Sequence, residues 1–291
     1  MNHMSRHVLK LSQLPAGFAE SLHAPPATPH VPLPAATVVL LRSGPRGLET
    51  LLLQRSRTSG FIPGAWVFPG GRVDDDDARL GQALTNQGVE PEPEPEPEPK
   101  HAPEPNHTPD EDSPFRIAAL REAFEETGVL LIEGSAPVSA ADQESADLAR
   151  WREHLLGGRA SFEAILDGLG VRPGLGSLGC FARWITPVIE PRRFDARFYL
   201  AEVPSSLPVS VHEAELVDAV WESPAQALDR HDAGDLPMVF PTIHTLEQLA
   251  DFDTPRDAIE AMTRPRVPAW LPRLVADGDF VTMQLDELAE P

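Results

Sequence analysis

An α/β fold, built as a mixed β-sheet with helices on both faces, is the class this 291-residue sequence predicts. Three observations predict it. Apolar, β-branched runs alternate with helical segments on an irregular schedule. Two of these runs, ATVVLL and LETLLLQRS, flank Ser43-Gly44-Pro45-Arg46-Gly47, the signal of a β-hairpin. A hydrophobic content of 41% supports a sizeable core in one large domain or two small ones.

Residues 1–34, rich in Pro, His and Ala, are expected as an irregular lead-in. The hairpin follows from residue 36, and WVFPGG (66–71) is a short strand breaking at Pro69-Gly70-Gly71. Residues 81–112 are expected as an acidic, low-complexity insertion. Its alternating Glu-Pro tract removes amide donors and sets like charges together, which favours an extended, solvated loop. Ser113 is the expected N-cap, and Pro114 the first residue, of a helix running to Thr127 and ending at Gly128. VLLIE (129–133) follows as a strand, and residues 139–170 as a helical insertion. CFARWITPV, RRFDARFYLAEV and ELVDAVWE then have the composition of strands. Leu216, Asp218 and Val220 alternate there with Val217 and Ala219. Ser223-Pro224 and Pro241-Thr242 start two further helices. Residues 251–291 are expected as a Pro-rich tail, leaving 35–250 as the domain proper.

Acidic residues outnumber basic ones 45 to 24, for a net charge of −21. This argues against nucleic acid or an anionic membrane as partner, while leaving room for a small anion in a locally basic pocket. Cys180 is the sole cysteine. Disulfides within the chain and Cys-rich zinc sites are thereby excluded, and a small buried residue is expected there. No apolar run reaches the ~20 residues of a membrane span. The first residues lack the apolar core of a signal peptide, so a cytoplasmic chain is the expectation.

Residues 121–129 read Arg-Glu-Ala-Phe-Glu-Glu-Thr-Gly-Val. At about 100° per residue, Glu125 and Glu126 flank Glu122 by about 60° and about 40°, while Ile117, Leu120 and Phe124 fall on the opposite side. Like charges so spaced cost roughly a few tenths of a kcal/mol per pair, and Arg121 is the only nearby cation. A solvated glutamate face accounts for the spacing alone. Gly70-Gly71 running into Asp74–Asp77 upstream tips the reading toward a site for a divalent cation, Mg²⁺ or Mn²⁺, which prefer hard oxygen ligands.

These two stretches resemble the signature of the Nudix hydrolases: Gly, five residues, Glu, seven residues, then Arg-Glu-apolar-any-Glu-Glu-any-Gly-apolar. Arg121 to Val129 match every fixed position of the second half, and Phe68-Pro69 before Gly70-Gly71 matches the family's lead-in. Two departures stand out. Asp77 occupies the place of the first Glu, and 43 residues (78–120) separate it from Arg121. A loop can grow this way cheaply, because closure entropy rises with the logarithm of length. The interrupted box resembles the coenzyme A diphosphatase branch, as do LLLQRSRTSGFIPGAWVFPGG and ITPVIEPRRFDARFYLAEV. The likeness covers about residues 36–250.

The resemblance implies a Nudix-type α/β/α sandwich around a mixed β-sheet. It implies metal-dependent hydrolysis of a nucleoside diphosphate linked to another moiety. Glu122, Glu125 and Glu126, the Gly70 carbonyl and Asp77 (or Asp75 or Asp76 in its stead) would hold Mg²⁺ or Mn²⁺. Arg121 would orient the carboxylates. Glu215 is the first candidate for general base, Glu213 the second, with Glu122 itself a third. On so acidic a chain, Arg55, Arg57, Arg192, Arg193 and Arg197 are the candidates for binding substrate phosphates, with Arg193 and Arg197 on one strand face and Arg192 on the other. Coenzyme A or acyl-coenzyme A is the expected substrate. ADP-ribose, NADH and dinucleoside polyphosphates are alternatives within the class, and a non-catalytic nucleotide sensor is an alternative outside it.

Overall fold

The computed structural model describes residues 6, 8–10, 22, 26, 28–57, 63–88, 109–142, 146–212, 214–263, 267 and 269–287. In chain order its strands are β1 (Val8–Lys10), β2 (Leu33–Gly44), β3 (Gly47–Arg55), β4 (Trp66–Val67), β5 (Gly70–Arg72), β6 (Val129–Leu130), β7 (Val138–Ser139), β8 (Gly179–Ile185), β9 (Phe194–Glu202), β10 (Leu216–Glu222), β11 (Ala269–Asp277) and β12 (Phe280–Glu287). The helices are α1 (Asp75–Gly88), α2 (Pro109–Thr127), α3 (Ala146–Leu156), α4 (Phe162–Leu169), α5 (Pro224–Ala233), α6 (Phe240–Leu249) and α7 (Pro255–Met262).

The main sheet runs β1-β12-β11-β8-β9-β2-β3-β10, with β4 beside β3 and β5 beside β2. It is mixed: β2 pairs parallel with β9, and β11 with β8, whereas β2–β3, β8–β9 and β3–β10 are antiparallel. Successive side chains of a strand point to opposite faces, and here both faces are covered. Val38, Leu40, Leu51, Leu53 and Tyr199 join the core beneath α2 through Ile117, Leu120 and Phe124. Val39, Leu41, Leu52, Phe198 and Leu200 join a second core with Leu228, Phe240, Ile243 and Leu246 of α5 and α6. This is the α/β/α sandwich expected from the sequence. Among the described residues, no helix is long and apolar enough to cross a membrane.

The structure departs from the expected elements in several places. Residues 75–88 form a helix, so the insertion opens on helix rather than loop. Asp74 precedes it, Asp75–Asp77 fill its first turn, where acidic side chains complement the helix dipole, and Leu80 is buried. The Glu-Pro tract itself lies outside the described residues. Helix α2 starts at Pro109, not Pro114, and Ser113 sits inside it with its hydroxyl 3.1 Å from that of Thr85 on α1. The expected strand at 129–133 shrinks to Val129–Leu130. A bulge at Val217 breaks the alternation of β10, leaving Val217 exposed beside buried Leu216. The lead-in and the tail are not structureless. β1 pairs with β12, and β11 extends the sheet against β8. Gly278-Asp279, the two-residue loop between β11 and β12 with Gly278 at φ of +57°, is a hairpin signal that could have revealed them. Cys180 is buried, which pushes its thiol up to about 12.

Asp112, assigned to the low-complexity insertion, is instead an anchor. It is 1% exposed. Its Oδ1 accepts from Tyr199 Oη at 2.7 Å and Arg197 Nη1 at 2.6 Å, and its Oδ2 from Arg116 Nε at 2.6 Å. Burial alone would raise its pKa. The hydrogen bond from Tyr199 and the charges of Arg116 and Arg197 outweigh burial and hold it below the usual carboxylate value. Removing the carboxylate strands two guanidinium groups and a phenol. Asp112→Ala is therefore expected to destabilise the fold by about 3–5 kcal/mol, read from urea unfolding.

Candidate active site

The two halves of the acidic motif, far apart in sequence, meet at the C-terminal end of α2. Glu126 Oε2 accepts the Gly70 N–H at 2.9 Å. A Cβ on Gly70 would meet the Ala36 carbonyl at 2.5 Å and Thr37 Cα at 2.8 Å, so the close approach of β5 to β2 requires glycine there, while a Cβ on Gly71 would displace the Glu122 carboxylate. Arg121, 7% exposed, ties these parts together. Its Nε donates to Asp77 Oδ1 at 3.0 Å, and its Nη2 to Asp77 Oδ2 and the Arg72 carbonyl, both at 2.8 Å. Its Nη1 donates to Glu122 Oε1 at 2.9 Å and lies 3.3 Å from Glu125 Oε1. Burial works against the Arg121 charge. The hydrogen bond to Asp77 and the fields of Glu122 and Glu125 outweigh it and hold the guanidinium protonated.

The carboxylates carry more negative charge than Arg121 balances. Burial lifts Glu122 to about 7 in spite of Arg121. Burial also raises Glu125. Glu126 lies deepest. Burial, then the field of Glu122, put it well above the usual carboxylate value, against the hydrogen bond from Gly70 and the charge of Arg55. Such a desolvated cluster of oxygen donors is chemically suited to a hard divalent cation. Among the described residues no three acids converge on one ion-sized point; one nitrogen of Arg121 bridges Glu122 and Glu125 instead.

The other candidates from the sequence are distributed unevenly. Asp77 faces Arg121 with both oxygens, and its Oδ2 also accepts the Asp74 N–H at 2.9 Å, closing a capping box on α1. Asp75 and Asp76 are exposed in the first turn of that helix. Glu215 and Arg55 are brought to Glu126: both act on its charge, and Arg55 pairs with Leu216 across β3 and β10. The Glu215 carbonyl accepts the Ser56 N–H at 2.8 Å, while its side chain is exposed. Arg57 and Arg192 are exposed, and Glu213 lies outside the described residues. Arg193 is buried and spans Thr186 O at 3.0 Å and His30 O at 2.7 Å. Arg197 is committed to Asp112 and lies over the Phe115 ring at 3.9 Å. These two arginines thus hold the fold.

One buried cation escaped the sequence reading. Arg152 of α3 bonds the Glu125 carbonyl through Nε and Nη2, at 3.0 and 2.8 Å, and reaches Ser210 on the loop before β10. Its signal was faint: an arginine one helical turn after buried Leu148, on the inward stripe.

The family model of the NUDT19 Nudix domain matches residues 31–249. The chain belongs to the Nudix family. Among its Nudix relatives, the acyl-coenzyme A diphosphatase NUDT19 of Gallus gallus is 32% identical over 284 residues, covering 84% of this chain and 74% of that protein. The protein of the same name from Homo sapiens is 32% identical over 276 residues, with 83% and 72% covered. Among solved structures, the NUDIX hydrolase from Alicyclobacillus acidocaldarius superposes with a TM-score of 0.60 at 30% identity, covering 80% of this chain and 97% of that one. The chain is thus a Nudix hydrolase, an enzyme of phosphorus-containing anhydrides, and Nudix hydrolases generally use divalent metal ions.

The raised carboxylates set a pH dependence. Between the ordinary value near 4.5 and about 7 for Glu122, the folded metal-free protein binds more protons than the unfolded chain, so stability falls as pH rises through that window. A divalent cation bound among these carboxylates would replace those protons. Melting temperatures in chelator are expected to drop from pH 5 toward pH 8, and the rise on adding Mg²⁺ to grow over the same range. A metal-induced rise independent of pH would refute the assignment.

Proposed function

We propose that this chain hydrolyses the diphosphate of coenzyme A or an acyl-coenzyme A, giving 3′,5′-ADP and phosphopantetheine or its acyl form. The reading rests on one observation above others: Glu126 and Glu122 meet the Gly70-Gly71 turn, with Glu125 beside them 3.3 Å from Arg121. The names of the two acyl-coenzyme A diphosphatases at 32% identity support the substrate class.

In this reading Glu122, Glu125 and Glu126, with the Gly70 peptide, hold Mg²⁺ or Mn²⁺. An ion held by these residues would supply charge to offset the diphosphate and would lower the pKa of a water toward neutral. Asp77 serves at one remove: it fixes Arg121, and Arg121 fixes Glu122 and Glu125. Glu215, whose charge acts on Glu126, takes the proton from the attacking water. Arg55 and Arg57, at the end of β3, and the exposed Arg192 meet the substrate's phosphates, while Arg193 and Arg197 serve only as supports.

A panel of coenzyme A, acyl-coenzyme A, ADP-ribose, NADH and dinucleoside polyphosphates with Mg²⁺ or Mn²⁺ tests the substrate. Release of 3′,5′-ADP from coenzyme A, with little turnover of ADP-ribose, is expected. Tight nucleotide binding without turnover of any diphosphate would instead make the chain a sensor. Glu125→Gln and Glu126→Gln are each expected to lower kcat on the order of 10²–10³-fold while the protein stays folded. Near-normal rates would remove these carboxylates from the site.

A further inference from the structure

Arg152 belongs to the helical insertion, yet its hydrogen bonds go to the last turn of α2 and to the loop before β10. Two of its nitrogens converge on the carbonyl of Glu125. Its Nη1 donates to Ser210 Oγ at 2.7 Å and its Nη2 to Ser210 O at 2.9 Å. The Ser210 N–H in turn donates to Thr127 O at 3.0 Å. One guanidinium therefore clamps the last turn of α2 to the loop that leads, five residues on, to Glu215. Leu207, Val209 and Val211 of this loop pack on the core, so Ser210 is held in register from both sides.

The clamp is built at a cost. Arg152 is 8% exposed. Its hydrogen-bond partners are carbonyls and a hydroxyl, and burial pulls its pKa down against the fields of Glu125 and Glu126. A buried guanidinium without a directly paired carboxylate is expensive, and a neutral side chain would join a helix to a loop more cheaply. Gly128, beside the clamp, turns the chain out of α2 with φ of +77°, the left-handed conformation that ends the helix.

We infer that Arg152 is a positioning residue for hydrolysis. Its fork sets the distance between the metal-binding carboxylates at the end of α2 and the loop that presents Glu215. Its fixed positive charge, aimed at Glu125 and Glu126, counters part of their mutual repulsion. This deepens the proposed function and rests on it for the role of Glu215, but the clamp can be read without turnover.

Two variants of the full chain test it, by hydrogen exchange and by kinetics. Arg152→Met is expected to speed exchange in residues 204–212 by about tenfold or more while β2 and β9 keep their protection. The same variant should lower kcat by about tenfold or more and leave KM within about threefold, as loss of alignment does. Arg152→Lys keeps the charge and stem, which guards against a failure to fold. A compact ammonium lacks the planar fork that spans the Glu125 carbonyl and both Ser210 groups, so its kcat should remain roughly fivefold down and its loop exchange fast. In Arg152→Met, Glu215→Gln should cost less than it does in the wild type, because the loop is already displaced. Wild-type exchange in residues 204–212, wild-type kcat in Arg152→Lys, or equal loss of protection across the whole sheet would overturn the inference. A wild-type chain inert toward every diphosphate would overturn the proposed function instead, and the exchange measurement would still decide the clamp.

Discussion

A single buried guanidinium, that of Arg121, is the constraint on which the rest of the site depends. It bonds Asp77 at the start of α1, the Arg72 carbonyl at the end of β5, and Glu122 on its own helix. Three segments are thereby drawn to one point, alongside the Gly70–Glu126 and Thr85–Ser113 contacts that also join them. Without that cation, Glu122, Glu125 and Glu126 could not be buried together against the Gly70-Gly71 turn, because desolvated like charges repel strongly where water cannot screen them. With it, the balance is negative but tolerable, and the excess falls on the carboxylates that face the turn.

This geometry also explains how the motif survives interruption. Helices α1 and α2 lie together, with Thr85 meeting Ser113. Arg121 closes the motif end of the pair, and Asp112 ties the other end of α2 to β9 through Tyr199 and Arg197. Ten residues of helix, about 15 Å, separate the two ion clusters. The chain between α1 and α2 therefore joins two ends fixed independently of its length, and added length costs little in closure entropy. Asp77 for glutamate is accommodated by the same device. The shorter side chain reaches Arg121 because α1 begins at that point and presents Asp77 in its first turn.

Arg121 and Arg152 divide the support of the acidic turn between them. Arg121 approaches from the carboxylate side and pairs with charge. Arg152 approaches from behind and pairs with a main-chain carbonyl at the helix C-terminus, where the helix dipole favours a cation. The second arrangement joins the helix to the loop before β10, and so to Glu215, through Ser210. The insertion that supplies Arg152 is therefore tied to the end of the acidic helix.

The sequence by itself determined the class of fold, the hairpin, and the acidic helix with its run of carboxylates on one side. Each of these is written in local periodicity or in residue types at fixed spacing, which survive any rearrangement elsewhere. Only the tertiary structure decided the roles of the charged residues. Arg193 and Arg197 looked as free to bind phosphate as Arg55, until His30, Thr186 and Asp112 were brought to them from distant parts of the chain. Asp112 looked like the end of a solvated tract, and Arg152 like one more helix charge. The tail looked structureless because its strands need β8 as a partner, which lies about 90 residues away in sequence. A charge has no role until its partners are known, and those partners are set by the fold.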